Sequence, residues 1–154
     1  MASVDKAPGQ FVDATVENGL ILCDQFYKNR WHIFYSQKRP TLLTWAKFVF
    51  WMDCSGLVSN VFWRLGIDKH TNWQYQNTWS LIKRGEPVES THIKEMDVVF
   101  YGPAHDDPHH VAIYIGKGKV LSNGHYPMGI YPIDYRGDRI AVRRFAELPS
   151  STQV

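Results

Sequence analysis

The chain has 154 residues, of which 44% are hydrophobic and 21% are charged. This balance excludes a disordered chain, and the length suits a single domain, for which about 100 to 200 residues is usual. The net charge of +2 is too small for a typical nucleic-acid binder. Residues 1–10 lack the apolar core of a secretory signal, and no stretch is apolar enough to cross a membrane.

We therefore expect one domain over residues 1–154, with a core at about 11–147 and a polar tail at 148–154. The protein is expected to be a monomer, made in the cytoplasm without a signal peptide. Neither nucleic acid nor a membrane is an expected partner.

Apolar residues at helical spacing predict the first elements of the chain. Residues 11–29 form an amphipathic pattern whose apolar stripe includes Cys23, so this cysteine is expected to be a small buried side chain. In residues 30–52 the apolar residues no longer recur at helical spacing, and Pro40 would break a helix. The segment is therefore predicted to be a long loop packed on the domain. Further helices are predicted at 54–65 and 73–83.

From about residue 97 onward, apolar residues recur at every second position. Short runs at 97–101, 110–115, 119–121, 129–133 and 139–145 are separated by Gly, Pro and Asp, as in the strands of an antiparallel sheet. Helices first and strands later indicate an α+β fold with segregated layers. Alternation along the run that begins at His110 should turn Val111, Ile113 and Ile115 to the core, and His110 to an exposed face.

Cys54 is a candidate nucleophile, because it opens the helix predicted at 54–65. Free N–H groups and the helix dipole stabilise a thiolate there, so we expect a lowered pKa. Gly56 would let a substrate backbone approach, and nearby N–H groups could hold an oxyanion. The tetrapeptide Asp53-Cys54-Ser55-Gly56 is equally compatible with a structural cysteine at a helix start that Asp53 caps.

His110 is a candidate general base, because the start of a strand would hold its ring rigidly within reach of a neighbour. A lone histidine at this position is also compatible with a structural role. His105, Asp106, Asp107 and His109 precede it and have ligand-type side chains. Their spacing matches no recognised ligand set and they lie in a polar loop, so no metal or other cofactor is expected.

Three segments occur in a distinctive order: DCSGLV at 53–58, MDVVF at 96–100 and HVAIYIG at 110–116. Together they resemble the NlpC-type cysteine peptidases, a papain-like family that hydrolyses peptidoglycan stem peptides. Residues 35–40, 102–103 and 134–136 further look like the peptidase domains of actinobacteriophage endolysins. The resemblance implies a papain-like fold, with N-terminal helices packed on a C-terminal antiparallel sheet. It also implies Cys54 as nucleophile and His110, rather than His109, as base.

Members of the family usually carry a His, Asn or Gln about twelve residues after the base, where it orients the imidazole. In this chain the count gives Ser122, a poor orienter. The resemblance therefore points to Asn123, with His125 as the second choice, to accept a hydrogen bond from the His110 ring. Both residues are also compatible with a simple turn.

Family members often place a tyrosine ahead of the cysteine, where it contacts substrate. Tyr35 is the candidate here, although a loop aromatic packed on the domain is an equally open interpretation. Asp53, Ser55 and Gly56, beside the nucleophile, are further substrate-binding candidates.

The resemblance implies a cysteine endopeptidase that cleaves cell-wall stem peptides, either as a phage lysin or in wall remodelling. Its bond would be one such as γ-D-glutamyl to diaminopimelic acid, or the D-alanyl cross-link. The enzyme would reach the wall by phage-mediated or other non-Sec release. An N-acetylmuramoyl-L-alanine amidase or acyltransferase on the same fold is an alternative, and so is a non-catalytic wall-binding or phage structural module.

Overall fold

The computed structural model of the chain describes residues 10–150. The first helix, α1 (Val16–Lys28), begins where the Thr15 hydroxyl accepts a hydrogen bond from the backbone N–H of Asn18 at 3.1 Å. The helix therefore begins five residues later than predicted. Cys23 is buried on its apolar stripe, as expected.

Residues 30–52 contain a small sheet, so the prediction of a long loop is wrong. Its strands are β1 (Ile33–Tyr35), β2 (Leu42–Thr44) and β3 (Val49–Met52), in the order β1-β3-β2. β3 pairs parallel with β1 and antiparallel with β2. These strands lie where the apolar residues follow no regular period, so the sequence pattern did not indicate them.

Helix α2 (Cys54–Arg64) begins at the cysteine, as predicted. The carboxylate of Asp53 caps it by accepting a hydrogen bond from the backbone N–H of Gly56 at 2.9 Å. Every residue of α2 except Trp63 is buried. The helix thus runs through the core of the domain, with the buried Cys54 at its first position.

The helix predicted over 73–83 is broken into two short pieces. A 3-10 turn covers Trp73–Tyr75, and α3 covers only Thr78–Leu81. Asn72 and Asn77 each accept a hydrogen bond from a backbone N–H two or three residues ahead. Each asparagine starts its own turn, which divides the segment.

The remaining strands form a six-stranded antiparallel sheet in the order β4-β9-β5-β6-β7-β8. They are β4 (Glu86–Pro87), β5 (Val98–Tyr101), β6 (His110–Gly116), β7 (Lys119–Ser122), β8 (Gly129–Pro132) and β9 (Arg139–Arg144). All but β4 were predicted. Helix α2 packs on β6, which confirms an α+β fold with helices on an antiparallel sheet.

The two faces of this sheet are both covered. Val111 and Ile113 belong to the main core beneath the helices, as expected, and Ile115 packs against it. The opposite face carries a second apolar cluster that includes Tyr101, Ala112 and Val120. His110 is only 3% exposed, so the expectation of an exposed histidine face is wrong.

The chain is anchored beyond β9. Leu148 packs against the main core, and the Pro149 carbonyl accepts a hydrogen bond from the backbone N–H of Val16 at 3.0 Å. The predicted polar tail is therefore docked at its start, and its last residues, 151–154, lie outside the described part. No helix within residues 10–150 is long and apolar enough to span a membrane.

Candidate active site

Cys54 lies where α2 meets the large sheet. Its thiol is 3.9 Å from the Thr78 hydroxyl of α3, and backbone N–H groups of Val111 and Ser55 point to the sulfur. Val111 directly follows His110 in β6. Cys54 therefore lies against β6, the strand whose first residue is His110.

The Cys54 thiol is protonated at neutral pH. Burial raises its pKa to about 11, and the Asp53 carboxylate adds to the increase. The hydrogen bonds from Val111, Thr78 and Ser55 favour the thiolate but do not outweigh burial. The expectation of a thiolate stabilised at the helix start is thus wrong for the resting site, because that position is enclosed.

The ring of His110 is held on one side by two hydroxyl groups. Its Nε2 lies 2.7 Å from Ser122 Oγ and 3.2 Å from Tyr135 Oη, and these two oxygens are 2.9 Å apart. In the tautomer with the proton on Nε2, the ring donates to Ser122 and leaves Nδ1 as the proton acceptor. That tautomer is the one a general base for Cys54 requires.

His110 is neutral at physiological pH. Burial and, to a smaller extent, the nearby Arg136 guanidinium lower its pKa to about 4. His109 occupies a different environment, since it is exposed and its Nε2 lies 3.1 Å from Asp107 Oδ1. The choice of His110 over His109 is consistent with this placement.

Neither residue predicted to orient His110 forms that contact. The side-chain amide of Asn123 donates to the carbonyls of Met52 and Asp53, at 3.1 and 3.2 Å. The His125 ring lies against Tyr131, with centroids 6.5 Å apart. The prediction of Asn123 or His125 as the orienting residue is therefore wrong, because the strand ends with Ser122 turned to the ring.

Ser122 was indicated by the family spacing and set aside on its chemistry, whereas Tyr135 was missed. Tyr135 is 25 residues from His110 along the chain, and although it lies in the endolysin-like segment 134–136, no sequence signal linked it to the histidine. Thr78 was missed for the same reason. The spacing of twelve was the one sequence signal that located the observed partner.

Asp53 and Ser55 brace the start of α2. Arg39 Nη2 lies 3.0 Å from Asp53 Oδ2 and donates to Ser55 Oγ at 2.8 Å. Ser55 in turn donates to Asp53 Oδ1 at 2.9 Å. Both side chains are engaged with Arg39 and with one another, and their role in substrate binding stays a prediction.

Gly56 serves packing. A Cβ at this position would lie 2.9 Å from Met52 Cβ and 3.3 Å from the Thr41 hydroxyl. The helix start therefore sits directly against β3, and the prediction that Gly56 admits a substrate backbone is wrong.

Tyr35 lies at the rim of the site, at the end of β1. It is 37% exposed, and its hydroxyl accepts a hydrogen bond from Gln37 at 3.1 Å. Its pKa is raised, first by burial and also by the proximity of Cys54. Its role in substrate binding stays a prediction.

No group of three or more His, Cys, Asp or Glu side chains within residues 10–150 could hold a metal ion. The ligand-type residues at 105–110 diverge, since His110 turns into the site and His109 pairs with Asp107. The chemistry available is that of a thiol beside an oriented imidazole.

A profile of the NlpC/P60 family matches residues 41–134. The peptidoglycan endopeptidase RipA of Mycolicibacterium smegmatis is 35% identical over 71 residues, which are 45% of this chain and 12% of that protein. An NlpC/P60 family protein from Bacillus cereus has a TM-score of 0.64 at 21% identity, and the match covers 90% of this chain and 43% of that one.

RipD from Mycobacterium tuberculosis has a TM-score of 0.57 at 20% identity, over 83% of this chain and 98% of that one. It is described as a non-catalytic NlpC/p60 domain protein adapted to peptidoglycan binding. This chain covers less than half of the length of RipA and of the Bacillus cereus protein. The solved structures support the shared fold. Since the family profile covers more than half of its residues, this chain belongs to the NlpC/P60 family.

Proposed function

We propose that the chain is a cysteine endopeptidase that hydrolyses stem peptides of bacterial peptidoglycan. The observation that carries the proposal is the buried Cys54 against Val111 of β6, the strand that begins at His110, whose Nε2 is held by Ser122. Membership of the NlpC/P60 family and the similarity to a peptidoglycan endopeptidase support the substrate class.

The reaction begins from a neutral pair. As the Cys54 sulfur attacks the peptide carbonyl, its proton passes to Nδ1 of His110, and backbone N–H groups near Cys54 stabilise the oxyanion. The imidazolium then protonates the departing amine, which leaves a thioester on Cys54. Water hydrolyses the thioester after His110 has removed its proton, and the free thiol is regenerated.

The bond proposed is γ-D-glutamyl to diaminopimelic acid, with the D-alanyl cross-link as the second choice. A role as a phage lysin rests on the short likenesses at residues 35–40, 102–103 and 134–136. Action on the cell wall as a monomer is part of the same proposal.

Mass spectrometry of a digested soluble muropeptide tests the reaction class. An endopeptidase yields two fragments, one with a new free amino group on a stem residue. Release of the whole peptide from muramic acid would show an amidase instead, and a product joined to an added amine would show an acyltransferase. Either product would replace the proposal.

One observation favours a non-catalytic wall-binding module. The Cys54 thiol is close to Thr78 and shares no hydrogen bond with His110 within the described residues, and burial keeps both groups neutral. A wall-binding module would retain sacculi in a pull-down and leave the muropeptide uncut. A cut muropeptide excludes it.

A further inference from the structure

A row of exposed apolar side chains crosses the outer face of the small sheet. The strand register places Phe34 beside Trp51, and Trp51 beside Leu42. These three side chains are 38%, 39% and 55% exposed, whereas the intervening Ile33 and Phe50 are fully buried. An exposed apolar patch of this kind usually marks a binding surface.

Two aromatic side chains extend the patch beyond β1. Tyr126 stacks on Phe34, with centroids 5.3 Å apart and planes inclined by 16°, and Trp31 meets Tyr126 edge to face at 6.2 Å. The Tyr126 hydroxyl donates to the Trp31 carbonyl at 2.9 Å. Trp31, Tyr126, Phe34 and Trp51 thus form a preorganised surface, here named the aromatic row.

The aromatic row adjoins elements of the candidate active site. Trp51 stands three residues before Cys54 and Phe34 directly before Tyr35. The loop that carries Tyr126 also carries Gly124, where a Cβ would lie 3.0 Å from Cε1 of the His110 ring. The row is therefore carried by elements that also reach the Cys54 and His110 region.

The chemistry of the row favours an amphipathic occupant with hydrogen-bond acceptors. The indole N–H groups of Trp31 and Trp51 have no hydrogen-bond partner within residues 10–150, although both rings are exposed. A lipid acyl chain would cover these donors without pairing them, which is costly. The rings of an N-acetylated sugar present C–H groups to aromatic surfaces, and their hydroxyl and acetamide oxygens accept from indole N–H.

We propose that the aromatic row binds the glycan strand of peptidoglycan while the attached stem peptide lies at Cys54. This inference rests on the proposed function, since it assigns the sugar part of the same substrate to a second surface. The stem peptide and the glycan are covalently joined, so adjoining sites for both would add their contributions to affinity.

The test uses the inactive variant Cys54→Ala and a soluble, peptide-free oligosaccharide of N-acetylglucosamine, titrated by NMR chemical shifts and calorimetry. We expect shifts in the row and an affinity that falls about five- to tenfold in Trp31→Ala and in Trp51→Ala. Phe11→Ala is the matched control, because Phe11 is 43% exposed, stacks on Trp63 and lies outside the row. It should bind the oligosaccharide normally.

Absence of oligosaccharide binding, or equal binding by the row variants and Phe11→Ala, overturns the inference. The inference is also overturned if the row variants instead lose binding to anionic vesicles, or lose dimerisation measured by gel filtration. Circular dichroism of Trp31→Ala, the more exposed position, identifies any loss of folding. If the protein binds the sugar but does not cleave a muropeptide, only the proposed function is refuted. If it cleaves the muropeptide but does not bind the sugar, only the sugar-binding role of the aromatic row is refuted.

Discussion

Burial neutralises both members of the candidate pair, since it lowers the pKa of His110 to about 4 and raises that of Cys54 to about 11. His110 accepts a proton only in its neutral form, so kcat/KM should rise as the pH increases through about 4 and then stay level past neutrality. Because the Arg136 guanidinium contributes to the lowering, Arg136→Gln should move the acid limb to higher pH.

The pH profile of muropeptide hydrolysis and the ultraviolet absorbance of the thiolate measure these two pKa values. At pH 7 the difference spectrum between the wild type and Cys54→Ala should contain no thiolate band. A thiolate that titrates below neutrality would contradict the neutral pair and indicate a preformed ion pair.

Ser122 and Tyr135 act on the reaction through His110. Ser122→Ala removes the 2.7 Å hydrogen bond to Nε2, which is worth about 1.5 kcal/mol, so kcat should fall roughly tenfold while KM changes little. Tyr135→Phe should lower kcat less, because its contact is longer at 3.2 Å. Tyr131→Phe, which keeps the ring stacked on Tyr135, serves as the control. An unchanged kcat in Ser122→Ala would show that this contact only packs against the ring and does not assist the reaction.

At the scale of the elements, Asn123 joins the end of β7 to the start of α2. Its amide donates to the Met52 and Asp53 carbonyls and is fully buried. Asn123→Ala should therefore lower the free energy of unfolding by about 2 kcal/mol in denaturant titrations, and reduce activity through the position of Cys54. Unchanged stability with a shifted acid limb would instead support a direct contact with His110.

The sequence was most informative where elements are long or begin at a motif. Helix α2 begins at Cys54, and five strands of the large sheet follow a visible period of two. Strands β1, β2 and β3 escaped prediction because the apolar residues of 30–52 follow no regular period. Burial of His110 and the positions of Thr78 and Tyr135 depend on tertiary packing, which leaves no local pattern.

At the scale of the whole molecule, three layers supply different parts of the proposed reaction. The buried helix α2 presents Cys54, the large sheet presents His110 and Ser122, and the small sheet carries the aromatic row up to the site. The chain is expected to hold the stem peptide at the junction of these layers, with Tyr35 at its rim.

The proposed function is tested most directly by incubating purified peptidoglycan sacculi with the wild type, Cys54→Ala and Cys23→Ala. Cys23 is the matched control, since it is also a buried free thiol but lies on α1. We expect the wild type and Cys23→Ala to clear the suspension and release new amino groups, and Cys54→Ala to do neither. Undiminished clearing by Cys54→Ala would contradict the assignment of the nucleophile.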